Sequence, residues 1–249
     1  GNQTWYFPFT GEKWFWKWRV FRVSFCPYFI PFGQGPVPER VWAEWFRFLL
    51  HSTWQQDWCF QLPPGNNLPK PLESRYSIFP KTNQVLDLNP GFEIVYQQWK
   101  SNRKAAWKKR EFVQVERIEA ADFERALYFL EKQERKGWFP GRKERDSLQR
   151  LLATKADQAF QPVCWIARSG EEVLSLVVLI HFRHRIHYVF SVTSASGFKA
   201  ESLTALLGRV FQEDRGCFDF EGSSLPGVKA FFSSFGAVEE PFFGIKKGA

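Results

Sequence analysis

Methionine is missing altogether from the 249 residues, and cysteine is scarce. At a usual frequency of roughly 2% about five methionines are expected, so chance is a poor explanation. The four cysteines, Cys26, Cys59, Cys164 and Cys217, stand far apart with no C-x-x-C pair. That spacing argues against a zinc site and a disulfide-stapled miniprotein, and it fits free, buried thiols in a reducing cytosol. Long apolar runs are absent too. The longest, Val173 to Ile180 broken by Ser175, is far short of the roughly 20 residues that a membrane span needs. No charged start followed by an apolar centre opens the chain, so no secretory signal is expected. No period of roughly 20–50 residues repeats, which excludes solenoids and propellers. No G-x-S-x-G elbow occurs, which leaves Ser-His-Asp hydrolysis without support.

What is present is an ordinary globular composition with a basic surplus. Apolar residues make up 44% and charged residues 24%, with a formal net charge of +8, which excludes intrinsic disorder and collagen. The length allows one large domain or two small ones. The aromatic load is heavy, with 28 Phe, 12 Trp and 6 Tyr. Aromatics bring large buried area per residue, so a Phe-rich core is the economical reading.

The first third reads as strand. Lys13 to Val23 is aromatic and β-branched, and Trp14, Trp16, Trp18 and Val20 fall on one face by the period of two. A Pro/Gly turn at 31–36 precedes a helix over 38–50, whose apolar stripe is Val41, Trp42, Trp45, Phe48 and Leu49. A short strand at 58–62 and a Pro-rich loop at 63–71 follow, where the first unit is expected to end. Beyond it the pattern predicts a strand at 84–88, one long basic helix or a helix pair over 91–110, and a strand at 113–118. Helices over 122–136 and 142–154 come next, then strands at 163–167, 173–182 and 186–192. A helix over 199–212, a strand at 217–221, a helix at 225–234 and a strand at 240–246 close the chain. Alternation with a central hairpin points to an α+β fold with a mixed sheet.

The most suggestive chemistry lies where a strand meets a helix through Thr193-Ser194-Ala195-Ser196-Gly197, with Lys199 in the first helical turn. Small residues before a helix let backbone N–H groups approach an anion, and a diphosphate fits. The commoner use of such a loop is a plain cap. Asp219 and Glu221 share one face of a strand, so either is a candidate general base toward an ammonium. The rival role for Glu221 is capping the following turn. Tyr188 is a candidate acid for a leaving thiolate, against the commoner role of packing. His181, His184 and His187 suggest a cluster, and His181 and His187 are placed to face each other across the hairpin. Two histidines without a third fixed ligand make a poor zinc site, so no metal is expected. The basic runs from Lys13 and from Arg103 to Arg110 invite nucleic acid, although snorkelling side chains explain them as well. A basic surface would still attract a polyanionic donor such as tRNA.

Several phrases resemble a known family. Arg75-Tyr76-Ser77-Ile78-Phe79 and Asn83-Gln84-Val85-Leu86-Asp87-Leu88 precede a helix ending Lys100-Ser101-Asn102-Arg103-Lys104-Ala105. Near the end stand Phe218-Asp219-Phe220-Glu221-Gly222-Ser223-Ser224-Leu225-Pro226-Gly227-Val228 and Phe231-Phe232-Ser233-Ser234-Phe235-Gly236-Ala237. With the element order, these resemble the FemAB-like branch of the GNAT acyltransferase superfamily, whose members are similar to peptidoglycan aminoacyltransferases. The resemblance covers about residues 75–249 well and the first 70 loosely.

It implies tandem GNAT-like units with mixed, mostly antiparallel sheets: a divergent N-terminal unit over 1–80 and an acyltransferase domain over 81–249. It implies transfer of an acyl group from acyl-CoA such as acetyl-CoA, or of an aminoacyl group from tRNA, onto a primary amine. The acceptor would be a small amine or a cell-wall precursor, in a cytoplasmic, bacterial-type setting. By family position the donor diphosphate lies at Ser194, Ser196, Gly197 and Lys199, and the pantetheine arm runs along Tyr188 to Val192. One position departs, with Lys199 standing where the family's loop has its second small residue. The alternative is a degenerate GNAT-fold module that binds a protein or RNA partner without transferring anything.

Overall fold

A computed structural model of the chain describes residues 5–6, 10–14, 17–21, 32–33, 37–52, 57–60, 76–132, 139–156, 160–222 and 225–247. The chain divides into two compact units, Gly1–Asn83 with Glu240–Ala249, and Gln84–Glu239.

In the first unit β1 (Trp5–Tyr6), β2 (Thr10–Trp14), β3 (Lys17–Phe21) and β4 (Phe32–Gly33) form two small antiparallel pairs, β1 with β4 and β2 with β3. The single strand expected over 13–23 is therefore two strands folded on each other, with Trp14 opposite Lys17. Its apolar alternation continues through the reversal, so periodicity alone could not see the break; Trp16 and the 63–71 loop lie outside the described residues. Helix α1 (Glu39–Ser52) buries Trp42 and leaves Phe48 exposed, so the expected stripe is only partly inward. Strand β5 (Asp57–Phe60) and the long β6 (Tyr76–Asp87) complete this stretch of chain.

The second unit takes residues 84–87 of β6 and then α2 (Phe92–Gln98) and α3 (Ser101–Lys108). The expected basic helix is thus a pair, broken where Trp99 is extended and buries its ring. There follow β7 (Gln114–Ile118), α4 (Phe123–Lys132), α5 (Arg142–Leu152), β8 (Phe160–Ser169), β9 (Glu172–Phe182) and β10 (Arg185–Thr193). After β10 come α6 (Ala195–Lys199), α7 (Ser202–Glu213), β11 (Cys217–Asp219) and α8 (Pro226–Ser233). The last strand, β12 (Val238–Lys247), pairs antiparallel with β5 and lies between β5 and β6 in the first unit.

The sheet of the second unit has the order β6-β11-β10-β9-β8-β7, antiparallel except where β10 meets β11. Helix α7 covers one face of β8 and β9, and α4 packs on β9. Covering a strand on both faces removes the polar alternation, which is why Val173 to Leu179 is buried throughout. The aromatic load goes into this core. Trp99 meets Phe235 edge-on at 4.9 Å, Phe211 meets Phe218 at 5.0 Å, and Phe220 stacks on Phe232 at 4.2 Å. Each such fully buried ring contributes about 2–3 kcal/mol of hydrophobic stabilisation. The mixed, mostly antiparallel α+β fold read from the sequence is the fold observed.

Candidate functional site

Strands β10 and β11 run parallel, and their pairing stops early. Arg185 lies beside Cys217, Ile186 beside Phe218 and His187 beside Asp219. There β11 ends, while β10 continues to Thr193 through an irregularity between Tyr188 and Phe190. The two strands therefore fork just after the His187–Asp219 pair. A parallel ladder that stops leaves backbone donors and acceptors of the longer strand open to another partner.

Beside the fork is a cavity of about 560 Å³. Tyr188, Ser191, Val192 and Thr193 of β10 form one wall, Gly197 and Phe198 of α6 with Leu203 and Thr204 of α7 a second. Gly227, Val228, Phe231 and Phe232 of α8 form a third, and Arg103 of α3 and Glu201 complete the lining. This volume suits a small-molecule ligand. Much of the loop expected at 193–197 is helix α6, and the helix expected from 199 starts as α7 at Ser202, after Glu201, which sits in the left-handed region at φ 54°. Glu221 is left-handed as well, at φ 58°. Non-glycine residues held there carry roughly 1–3 kcal/mol of strain that the surrounding structure must offset, and such residues gather at functional sites.

Of the residues predicted for a donor, Tyr188, Val192 and Gly197 line the cavity; Ser194, Ser196 and Lys199 do not. The Ser194 hydroxyl accepts from the Gly197 N–H at 3.0 Å and donates to the Leu174 carbonyl at 3.2 Å, so it is a buried cap. Ser196 donates to Glu172 at 2.5 Å, and Lys199 is exposed at the end of α6. Gly197 is small because α6 is pressed against β9: a Cβ there would lie 2.3 Å from the Leu174 carbonyl oxygen. Tyr188 packs its ring against Phe218, Phe220 and Phe232, and burial pushes its phenol up so that it keeps its proton.

Glu221 lies beyond the end of β11 rather than on a strand face with Asp219, because its left-handed backbone turns the chain. Its N–H donates to Asp219 Oδ1 at 2.8 Å, and its carboxylate contacts His187 Nδ1. Arg185 Nη1 holds Asp219 Oδ2 at 2.9 Å. Burial pushes the Glu221 carboxyl above the usual carboxylate range, while the hydrogen bond to His187 pulls it back. Thus Glu221 and Tyr188 stand at the fork from opposite faces of β10, since His187 and Tyr188 are consecutive on the strand.

His187, Asp219 and Glu221 offer ligand atoms all within 4.8 Å of one another, a set that could reach one cation. Arg185 and His187 already engage both carboxylates, so the group is closed by its own ion pairs. His181 does not face His187. The register sets it opposite Ile186, on the other face, where its Nε2 lies 3.6 Å from Asp214. The sequence reading missed His187 as the partner of Glu221, and Arg103, Glu201 and Thr204 as cavity residues. Arg103 looked like one more cation in a basic run. That run is in fact divided: Arg103 is buried, and Arg110 lies over the Trp107 ring at 4.2 Å.

An α+β unit with a ligand-sized cavity beside a forked pair of parallel strands is the class of protein defined here. The chain belongs to the GNAT acetyltransferase family: residues 96–226 match the family described as "Acetyltransferase (GNAT) domain". Among solved structures, FemX aligns with 96% of this chain and 88% of its own, at TM-score 0.62 and 9% identity. The C-terminal domain (DUF2156) of a putative lysylphosphatidylglycerol synthetase from Agrobacterium fabrum aligns with 93% of this chain and 81% of its own, at TM-score 0.57 and 12% identity. A tandem GNAT protein from the clavulanic acid biosynthesis pathway aligns with 90% and 76%, at TM-score 0.50 and 11% identity. These likenesses are of fold. No curated protein matches the sequence. Among the described residues no helix is long and apolar enough to cross a membrane.

Proposed function

We propose that the second unit is an N-acyltransferase site that takes acyl-CoA as donor and a primary amine as acceptor. The observation that carries this reading is the fork, with a ligand-sized cavity opening beside it and a carboxylate–histidine pair at its base. The donor arm lies along Tyr188 to Val192, where the ladder to β11 has ended, and a β10 backbone N–H donates a hydrogen bond to the thioester carbonyl oxygen. The amine comes to the fork from the His187 side. Glu221, oriented by His187, removes the ammonium proton directly or through a water. The amine nitrogen then attacks the carbonyl carbon, the C–N bond forms and the C–S bond breaks. The Tyr188 hydroxyl gives its proton to the departing thiolate and is restored, through water, by the second proton that the nitrogen sheds as the amide forms, while the proton on Glu221 returns to solvent. Positioning and oxyanion stabilisation carry most of the rate.

The acceptor class is an amine on an amino acid or a cell-wall precursor. The residues of the first unit form a divergent GNAT-like half in this reading. A cytoplasmic setting goes with it, and the buried thiol of Cys164 supports that.

The test is acetyl-CoA thiol release with a panel of amino acids, amino sugars and lysine-bearing stem peptides. Amine-dependent release is expected, falling on the order of 100-fold in Glu221→Gln. Full turnover in that variant would remove Glu221 as base. Binding of acetyl-CoA without transfer to any amine would favour a degenerate binding module, and transfer from aminoacyl-tRNA alone would change the donor.

A further inference from the structure

Among the described residues Arg103 is the only Lys or Arg that lines the cavity, and it is 8% exposed. Its guanidinium lies over the Phe231 ring at 4.5 Å and near Phe235 at 5.4 Å. Nε donates to Ser234 Oγ at 3.0 Å, and Nη1 donates to Glu201 Oε2 at 3.0 Å and Thr204 Oγ1 at 2.5 Å. A guanidinium has five N–H donors. Three are engaged, and the two on Nη2 make no hydrogen bond among the described residues. The group is held from α7, α8 and Glu201, so little orientational freedom remains to be lost when a ligand arrives.

Charge balance points the same way. The Glu201 side chain is 39% exposed, against 10% for Arg103. Water screens the carboxylate while the cation sits dry, and burial lowers the Arg103 pKa more than Glu201 raises it. The side chains expected to hold the donor's anion are directed elsewhere: Ser194 and Ser196 are engaged internally, and Lys199 is exposed outside the cavity lining.

We propose that Arg103 reads the negative charge of the donor: Nη2 donates to an oxyanion of the acyl-CoA, either a phosphate of its nucleotide arm or a carboxylate on its acyl group. Glu201 is a positioning residue that aims the guanidinium and moderates its charge. This rests on the donor reading above and narrows it, since it makes the cavity selective for anionic thioesters.

Calorimetric titration of the whole chain with acetyl-CoA, S-acetylpantetheine, succinyl-CoA and S-succinylpantetheine separates the sources. If phosphate is read, acetyl-CoA binds on the order of tenfold to a hundredfold more tightly than S-acetylpantetheine, as one charge-assisted bond supplies. If an acyl carboxylate is read, the preference appears between the succinyl and acetyl pantetheines. Either preference collapses in Arg103→Gln. In Glu201→Gln the same preference widens several-fold, which decides the matter even if Arg103→Gln does not fold. Thioester binding with no preference for an oxyanion would overturn the role of Arg103 and leave the donor cavity standing. So would a preference unchanged in Glu201→Gln or in a folded Arg103→Gln. No binding of any thioester to the wild type would overturn the donor reading and this assignment together.

Discussion

Replacing Gly197 with alanine tests whether the wall between α6 and β9 is as tight as its geometry implies. The backbone there is compatible with any residue, so an alanine has no conformational penalty. In a helix it gains about 1 kcal/mol over glycine. Against that gain stands a Cβ only 2.3 Å from the Leu174 carbonyl oxygen and 2.8 Å from Ser202 Oγ. The same carbonyl accepts from the Ser194 N–H at 2.9 Å and the Ser194 hydroxyl at 3.2 Å. Moving it aside disturbs two hydrogen bonds of about 1 kcal/mol each, plus overpacking of about 1–3 kcal/mol. The net expectation is a loss of about 2–4 kcal/mol, or roughly 4–16 °C in the unfolding midpoint of a chain this size. Gly227→Ala is the control: it lies on α8 in the same cavity, and a Cβ there meets nothing within 4 Å. Thermal and urea unfolding of both variants, followed by circular dichroism, measure the contrast. A Gly197→Ala protein as stable as Gly227→Ala would refute the close approach and the position of α6 derived from it.

Other outcomes follow from the same geometry. The folded-state pKa of Glu221 is raised, so its contribution to stability is fully present below the ordinary carboxylate value and is lost as pH rises through the folded value. Glu221→Gln should therefore flatten the fall of the unfolding midpoint with rising pH in that window, and an unchanged slope would count against it. Tyr188→Phe should unfold within about 1 kcal/mol of the wild type, since the ring packing persists, while acyl transfer slows on the order of tenfold to a thousandfold. Equal turnover would show that the thiolate leaves without that proton. Gly208→Val should destabilise strongly in chemical unfolding, because even a Cβ at 208 would lie 2.2 Å from the Trp107 ring that joins α3 to α7.

Much of the architecture was legible because it is local. The apolar run of β9 and the turn at 183–184 announce the central hairpin, and Pro226 opens α8 where a fixed φ suits a first helical turn. The β2–β3 hairpin stayed hidden because the hydrophobic pattern crosses it without interruption, and the break at Glu201 because a left-handed backbone at a non-glycine residue has no signal in residue type. Glu221 was expected on a strand face with Asp219, and its left-handed backbone instead carries it past the end of β11.

The sequence by itself determined the mixed α+β fold and the aromatic core, which depend on residue type and on spacing of a few positions, and its phrases resemble those of the GNAT superfamily. Only the tertiary structure decided which charges are brought together. Arg103 meets Glu201, Thr204 and Ser234 across 98, 101 and 131 residues of chain, and His187 meets Glu221 across 34. Such partnerships leave no periodic trace, because the field at a buried charge depends on what the fold brings within a few ångströms and on how much water it excludes.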